Sequence, residues 1–223
     1  MIYSILFDTK QRENSIIKKN DCRPVRQSVL ALPTEIFEYV KSAKKDLVRD
    51  ERYAAYTTLL ASLKCFFNVE NPIICHQKNE KPSLISHNIF FNISHCDGIV
   101  AVTISDTNEV GVDIQNEPDE RSRERLKERF LSELFPADSD LDIKYYLAQM
   151  DGNDFLFYES TLSTYKDSFS YKWAVMESLM KLYGRGFSDL SKIGNLAKKS
   201  KTNVCGFLLD GKIFSISNSI KNG

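Results

Sequence analysis

The segment Trp173-Ala-Val-Met-Glu177-Ser-Leu-Met-Lys181-Leu-Tyr-Gly184-Arg-Gly186 puts a carboxylate and an ammonium where one helix face can carry both. Trp173, Glu177 and Lys181 are spaced four apart, so a 3.6-residue repeat stacks them along a single stripe. Ser170 is a candidate N-cap, and Gly184 or Gly186 supplies the left-handed residue that stops helices. A Trp anchor at one end would fix the rotation at which Glu177 and Lys181 face outward. Such a pair could serve phosphate chemistry, the ammonium against an anion and the carboxylate toward a metal or a proton. It could also be a surface ion pair, since Glu preceding Lys by four is common on helices.

About 60 residues upstream, Val110-Gly-Val-Asp113-Ile-Gln115 sets an aspartate inside an apolar, β-branched run that reads as a strand. A carboxylate there is costly unless a neighbouring backbone caps it, a partner pairs it or a metal binds it. Phe91-Asn-Ile-Ser94-His95 ends another strand in polar residues, just before a Cys96-Asp97-Gly98 turn. Lys81-Pro82 holds a basic residue beside a fixed φ. Taken singly, these are a strand-end histidine and a loop lysine. From composition alone, Asp113 and Glu177 would suit a metal-dependent phosphoesterase, but no histidine cluster accompanies them to complete a two-metal site.

The elements that must position these residues fall into two halves, 1–105 and 106–223. In the first half, residues 2–7 read as a strand, 33–44 as a helical segment, and 51–67 as a helix with Ala55, Leu59 and Leu63 on its apolar face. Residues 89–93 and 99–105 read as a strand pair joined through Asp97-Gly98. The second half opens with a strand at 110–114 and a charged helix near 121–135. An irregular stretch then runs to about 168, followed by the Trp173 helix. Strands at 204–209 and 212–217, turning at Asp210-Gly211, close the chain. Strands flanking helices in each half predict an α+β fold. Thirty basic and thirty acidic residues cancel, so no broad cationic surface points to nucleic acid. No run of 18 apolar residues exists, and the opening MIYSILFDTK is too short and wrongly flanked for a signal peptide. Five cysteines, Cys22, Cys65, Cys75, Cys96 and Cys205, form no C-x-x-C pair, which predicts reduced thiols in a cytoplasm and no zinc site.

The order and spacing of Lys81-Pro82, FNISH at 91–95, GVDI at 111–114 and the helix from Trp173 to Gly186 resemble the Sfp-type 4′-phosphopantetheinyl transferases. In that family a lysine-proline pair precedes an FN-S-H strand end. A G-D strand motif and a W-x-x-K-E-x-x-x-K-x-x-G-x-G helix follow. The resemblance runs over the whole chain. It implies two similar α/β halves related by a pseudo-twofold, each a helix packed on a small antiparallel sheet, with the active site in the cleft between them. The implied reaction moves the phosphopantetheine arm of coenzyme A to a serine of an apo acyl or peptidyl carrier protein, releasing adenosine 3′,5′-bisphosphate. Mg²⁺ would be held by Asp113, Glu177 and Gln115, and it needs only one or two protein carboxylates. Glu177 would act as base, Lys181 would hold the pyrophosphate and His95 a phosphate of coenzyme A. Lys81 beside Pro82 would face the nucleotide end, and Ser94 and Gly186 would shape the site. A cytoplasmic monomer is implied, with coenzyme A and a carrier protein as partners and neither nucleic acid nor membrane.

Three positions depart from the family pattern. Met176 stands where lysine usually precedes the helix glutamate, and Gln115 where many members carry a second acid. An arginine that often grips the nucleotide's 3′-phosphate falls at Ala55, with Lys41, Lys44, Lys45, Arg49 and Arg52 nearby. For most of these cations a solvated helix face is expected. Met176 either presents its position to the pyrophosphate or turns into the core with Met180 and Tyr183 at i+4 and i+7. Met176 and Gln115 also support an alternative, a degenerate member that binds coenzyme A or a carrier protein without turnover.

Overall fold

The structure, a computed structural model, describes residues 2–9, 13–18, 32–76, 80–116, 119–130, 143–151, 154–159, 169–186, 189, 192–193, 196, 202–209 and 212–219. The chain forms two compact units, Met1–Thr107 with Gly152–Asp154, and Asn108–Asp151 with Phe155–Gly223.

In the first unit, strands β1 (Ile2–Asp8), β2 (Glu13–Lys18), β5 (Phe90–Cys96) and β6 (Ile99–Ser105) form an antiparallel sheet in the order β2-β1-β6-β5. Two short strands, β3 (Ile74–Cys75) and β4 (Ser83–Leu84), pair separately. Helix α1 (Thr34–Lys41) and helix α2 (Asp46–Phe67) complete the unit. The apolar stripe of α2 buries Ala55, Leu59 and Leu63 in one cluster with Ile5, Phe91, Val100, Val102 and Ile104 of the sheet. Asn68 stops α2 in the left-handed region at φ 52°, its N–H bonded back to the Lys64 carbonyl. The β5–β6 turn needs positive φ at both central residues, and Asp97 (51°) and Gly98 (86°) supply it.

In the second unit, β7 (Val110–Asn116), α3 (Glu120–Phe130), β8 (Ile143–Asp151), β9 (Asp154–Glu159), α4 (Phe169–Tyr183), β10 (Asn203–Leu209) and β11 (Lys212–Asn218) follow one another. Their sheet runs β7-β11-β10-β8-β9. Two expectations are corrected here. The stretch before residue 168 was expected to be irregular, yet it contains β8 and β9, whose Tyr145-Tyr-Leu and Phe155-Leu-Phe-Tyr runs are strong strand formers. The sheet is also not purely antiparallel, because β8 and β10 pair in parallel with Val204 opposite Ile143. The chain between those two strands passes through α4, the kind of crossover a parallel pair requires. The fold is α+β in both units. Asp210-Gly211, Cys22 and residues 131–135 of the expected charged helix lie outside the described residues.

Helix α4 sits unusually close to its sheet. A Cβ on Gly111 of β7 would lie 2.0 Å from the Ser178 carbonyl oxygen, and one on Gly206 of β10 would lie 2.3 Å from the Tyr171 ring. Between these glycines, Ser217 Oγ donates to the Ser178 carbonyl at 2.9 Å, and Ser215 Oγ meets Ser178 Oγ at 2.9 Å. Glycine and serine thus make a floor on which the helix backbone itself rests. Around it, Trp173, Val175, Met176, Leu179, Ile193, Val204 and Ile213 close the core. Gly184, at φ 60°, terminates the helix, and the Arg185 N–H returns to the Met180 carbonyl.

Candidate active site

Strand alternation sets Gly111 and Asp113 on one face of β7, so the close approach of α4 at Gly111 brings the helix onto Asp113. Asp113 is 2% exposed, opposite Ser215 of β11. Lys181 Nζ donates to Asp113 Oδ1 at 2.6 Å. One turn earlier on α4, the Glu177 carboxyl hydrogen-bonds with the Asp113 side chain and accepts from the Trp173 indole. The i,i+4 stripe therefore forms as the spacing predicts, but it is not a surface pair facing outward. Its ammonium is spent on a strand carboxylate, and its own carboxylate lies against that same group.

The electrostatics follow from this crowding. Burial is the largest influence on Glu177, the negative charge of Asp113 adds to it, and Lys181 opposes both. The Glu177 carboxyl is pushed up to about 8, so it holds a proton that an ordinary glutamate has lost by neutral pH. Two oxygen-donor groups forced together in this way suit a hard cation, which would replace the shared proton. Asp113 and Glu177 therefore fit Mg²⁺. Gln115 Nε2 donates to the Ser170 carbonyl at 2.7 Å and holds the first turn of α4, a bond that uses the amide nitrogen and not the oxygen a metal would take. Among the described residues no three acidic, histidine or cysteine side chains gather as a metal cluster.

Two further expectations on α4 are decided by burial. Ser170 is not an N-cap, because it is the second residue of the helix, and its buried Oγ has no hydrogen-bond partner among the described residues. Met176 is 1% exposed and packs with Met180 and Tyr183 in the core, so its position does not face a ligand.

In the first unit, His95 is the penultimate residue of β5, just before Asp97-Gly98, with its side chain about one-third exposed. Its Nδ1 lies 2.8 Å from Oε2 of Glu51, a carboxylate buried in α2. Oε1 of the same carboxylate accepts the Gly98 N–H at 2.6 Å. Sequence reasoning missed Glu51, although a signal existed: residue 51 continues the stripe of 55, 59 and 63 that predicted the buried face. Ser94 is buried one residue before His95, while Lys81 and Pro82 are half-buried ahead of β4. Ala55 lies in the core, and nearby cations have structural work on α1 and α2. Arg52 lies 4.4 Å over the Tyr39 ring and donates to the Tyr39 carbonyl, Arg49 pairs with Asp46, and Lys41 lies over Phe37.

Also in this unit, the Tyr56 hydroxyl meets His76 Nε2 at 3.1 Å, and Tyr39 stacks on the His76 ring. Burial, then the Arg52 charge, hold His76 below the usual histidine range, while burial pushes the Tyr56 phenol up. A neutral imidazole accepting from a neutral phenol is the arrangement these shifts favour.

Cys65, Cys75, Cys96 and Cys205 are thiols outside any disulfide, and among the described residues no helix is long and apolar enough to cross a membrane. Compared with models of known protein families and with curated proteins, the chain matches none.

Proposed function

We propose that this chain is a 4′-phosphopantetheinyl transferase of the Sfp type, acting on coenzyme A and an apo acyl or peptidyl carrier protein in the cytoplasm. The observation that carries the reading is the meeting of Asp113, Glu177 and Lys181 on β7 and α4. In the reaction, the carrier serine oxygen forms a bond to the phosphorus bearing the pantetheine arm. The pyrophosphate P–O bond breaks, and adenosine 3′,5′-bisphosphate leaves. Glu177 in its ionised form takes the serine proton. Lys181 has three donors, so it can face phosphate oxygens while keeping its bond to Asp113. Mg²⁺ bound by Asp113 and Glu177 would supply neutralisation of the charge on the phosphates. His95, Ser94 and Lys81 are assigned to coenzyme A.

The test is mass spectrometry of an apo carrier protein incubated with the chain, coenzyme A and Mg²⁺. A gain of one phosphopantetheine arm is expected, lost in folded Asp113→Ala and Glu177→Ala. No gain over a panel of acyl and peptidyl carriers sinks the enzyme. A second measurement is independent of turnover: Mg²⁺ should raise the Tm of the wild-type protein and leave Asp113→Ala unmoved. The second reading, a binder without turnover, is favoured by Gln115 being tied to Ser170 and Met176 being in the core. Coenzyme A binding without transfer would establish it.

A further inference from the structure

The Glu51 carboxylate reaches the β5–β6 turn from the second turn of α2, and both of its oxygens are engaged there. Oε1 takes the Gly98 N–H at 2.6 Å and Oε2 takes His95 Nδ1 at 2.8 Å. Glu51 is 3% exposed. A buried carboxylate is tolerated only when donors surround it, and here one donor is the turn backbone and the other an imidazole that opens to solvent on its far side. An ionised carboxylate accepts only, so His95 must present Nδ1–H to it. That bond fixes the ring plane and leaves Nε2 as the nitrogen directed to a ligand; a phosphate oxygen only accepts, so the ring that meets one carries a proton on Nε2 as well, its charge shared between Glu51 and the phosphate. The Gly98 bond holds the carboxylate in turn, so Glu51 cannot rotate away without giving up the turn amide.

We infer that Glu51 is the positioning residue for His95, holding its Nδ1–H so that a protonated Nε2 donates to a phosphate oxygen. The inference rests on the assignment of His95 to coenzyme A and deepens it by naming the group that makes the ring competent. A purely structural Glu51 would tie α2 to the turn and leave the ring indifferent. The two roles separate in Glu51→Gln. The amide oxygen can still accept the Gly98 N–H, but the NH₂ turned toward His95 requires an unprotonated Nδ1, so the doubly protonated ring is lost and only a neutral Nε2–H is left for the phosphate.

Two measurements test this. In ¹⁵N spectra of the wild-type protein without ligand, His95, one of only three histidines, should show a protonated Nδ1 at pH 8. In Glu51→Gln the proton should move to Nε2 while the melting curve stays cooperative. A wild-type His95 protonated on Nε2 at that pH overturns the inference, whether or not the variant folds. In the transfer assay, His95→Ala should raise KM for coenzyme A on the order of tenfold with little change in kcat, Glu51→Gln should raise it by less because a neutral Nε2–H remains, and the double variant should be no worse than His95→Ala. Multiplying effects would show that Glu51 acts elsewhere and overturn the assignment. Failure of the wild-type protein to bind coenzyme A overturns the functional reading, whereas the ring spectra decide the role of Glu51 by themselves.

Discussion

At Glu177 a single proton decides how two carboxylates share one place. Its pKa in the folded chain lies above the unfolded value of about 4.5, raised first by burial and then by Asp113. The folded state therefore binds a proton that the unfolded state releases, and stability falls as pH rises from about 4.5 to about 8, then levels off. Melting the metal-free protein across this range should show the decline. Glu177→Gln should flatten it and melt higher than wild type above pH 8; a parallel decline in the variant would place the titrating group elsewhere. Met176 makes the opposite point. With its side chain wholly in the core, Met176→Lys would bury an ammonium without a partner and should destabilise by about 3 kcal/mol or more, with no gain in kcat/KM. A faster enzyme with an unchanged Tm would show that the position faces coenzyme A after all.

At the scale of elements, the docking of α4 on β7 is the step on which the site depends. Gly111→Ala would place a methyl against the Ser178 carbonyl and the Leu182 amide, both backbone and unable to swing aside. A cost of about 3 kcal/mol is expected, together with loss of the Asp113–Lys181 bond as the helix is pushed off. A Tm within 2 °C of wild type, roughly 1 kcal/mol or less at this size, would refute the close contact. In the first unit, His76 joins α1, α2 and β3 through Tyr39 and Tyr56. Its folded pKa is depressed, so the unfolded chain takes up a proton first as pH falls below about 6.5. Stability is lost from that point downward. His76→Gln keeps an acceptor for Tyr56 and removes the titration, so the Tm difference between the two proteins should narrow or reverse from pH 7 to pH 5.

Across the whole molecule, what the sequence discloses depends on how local each determinant is. The 55, 59, 63 stripe, the positive-φ pair Asp97-Gly98 and the glycine after α4 act within a few residues, so their helix and turns are readable in advance. The parallel pairing of β8 with β10 depends on a partner far along the chain, and no local periodicity announces it, whereas β8 and β9 are neighbours in sequence and in the sheet, and their aromatic runs are a local signal. The residue types at Asp113, Glu177 and Lys181 are legible. Their grouping is not, since it requires knowing that Gly111 and two serines let a helix backbone touch a strand. That floor has a further consequence, for time rather than geometry. Asp113 hangs on a hydrogen-bonded ladder, and Glu177 and Lys181 beside it hang on a helix. Amides of residues 111–113 and 178–182 should exchange with deuterium only through the cooperative opening of the second unit. Heat should therefore abolish turnover at the melting of that unit and not several degrees before it, so the lifetime of the site equals the lifetime of the fold that holds it.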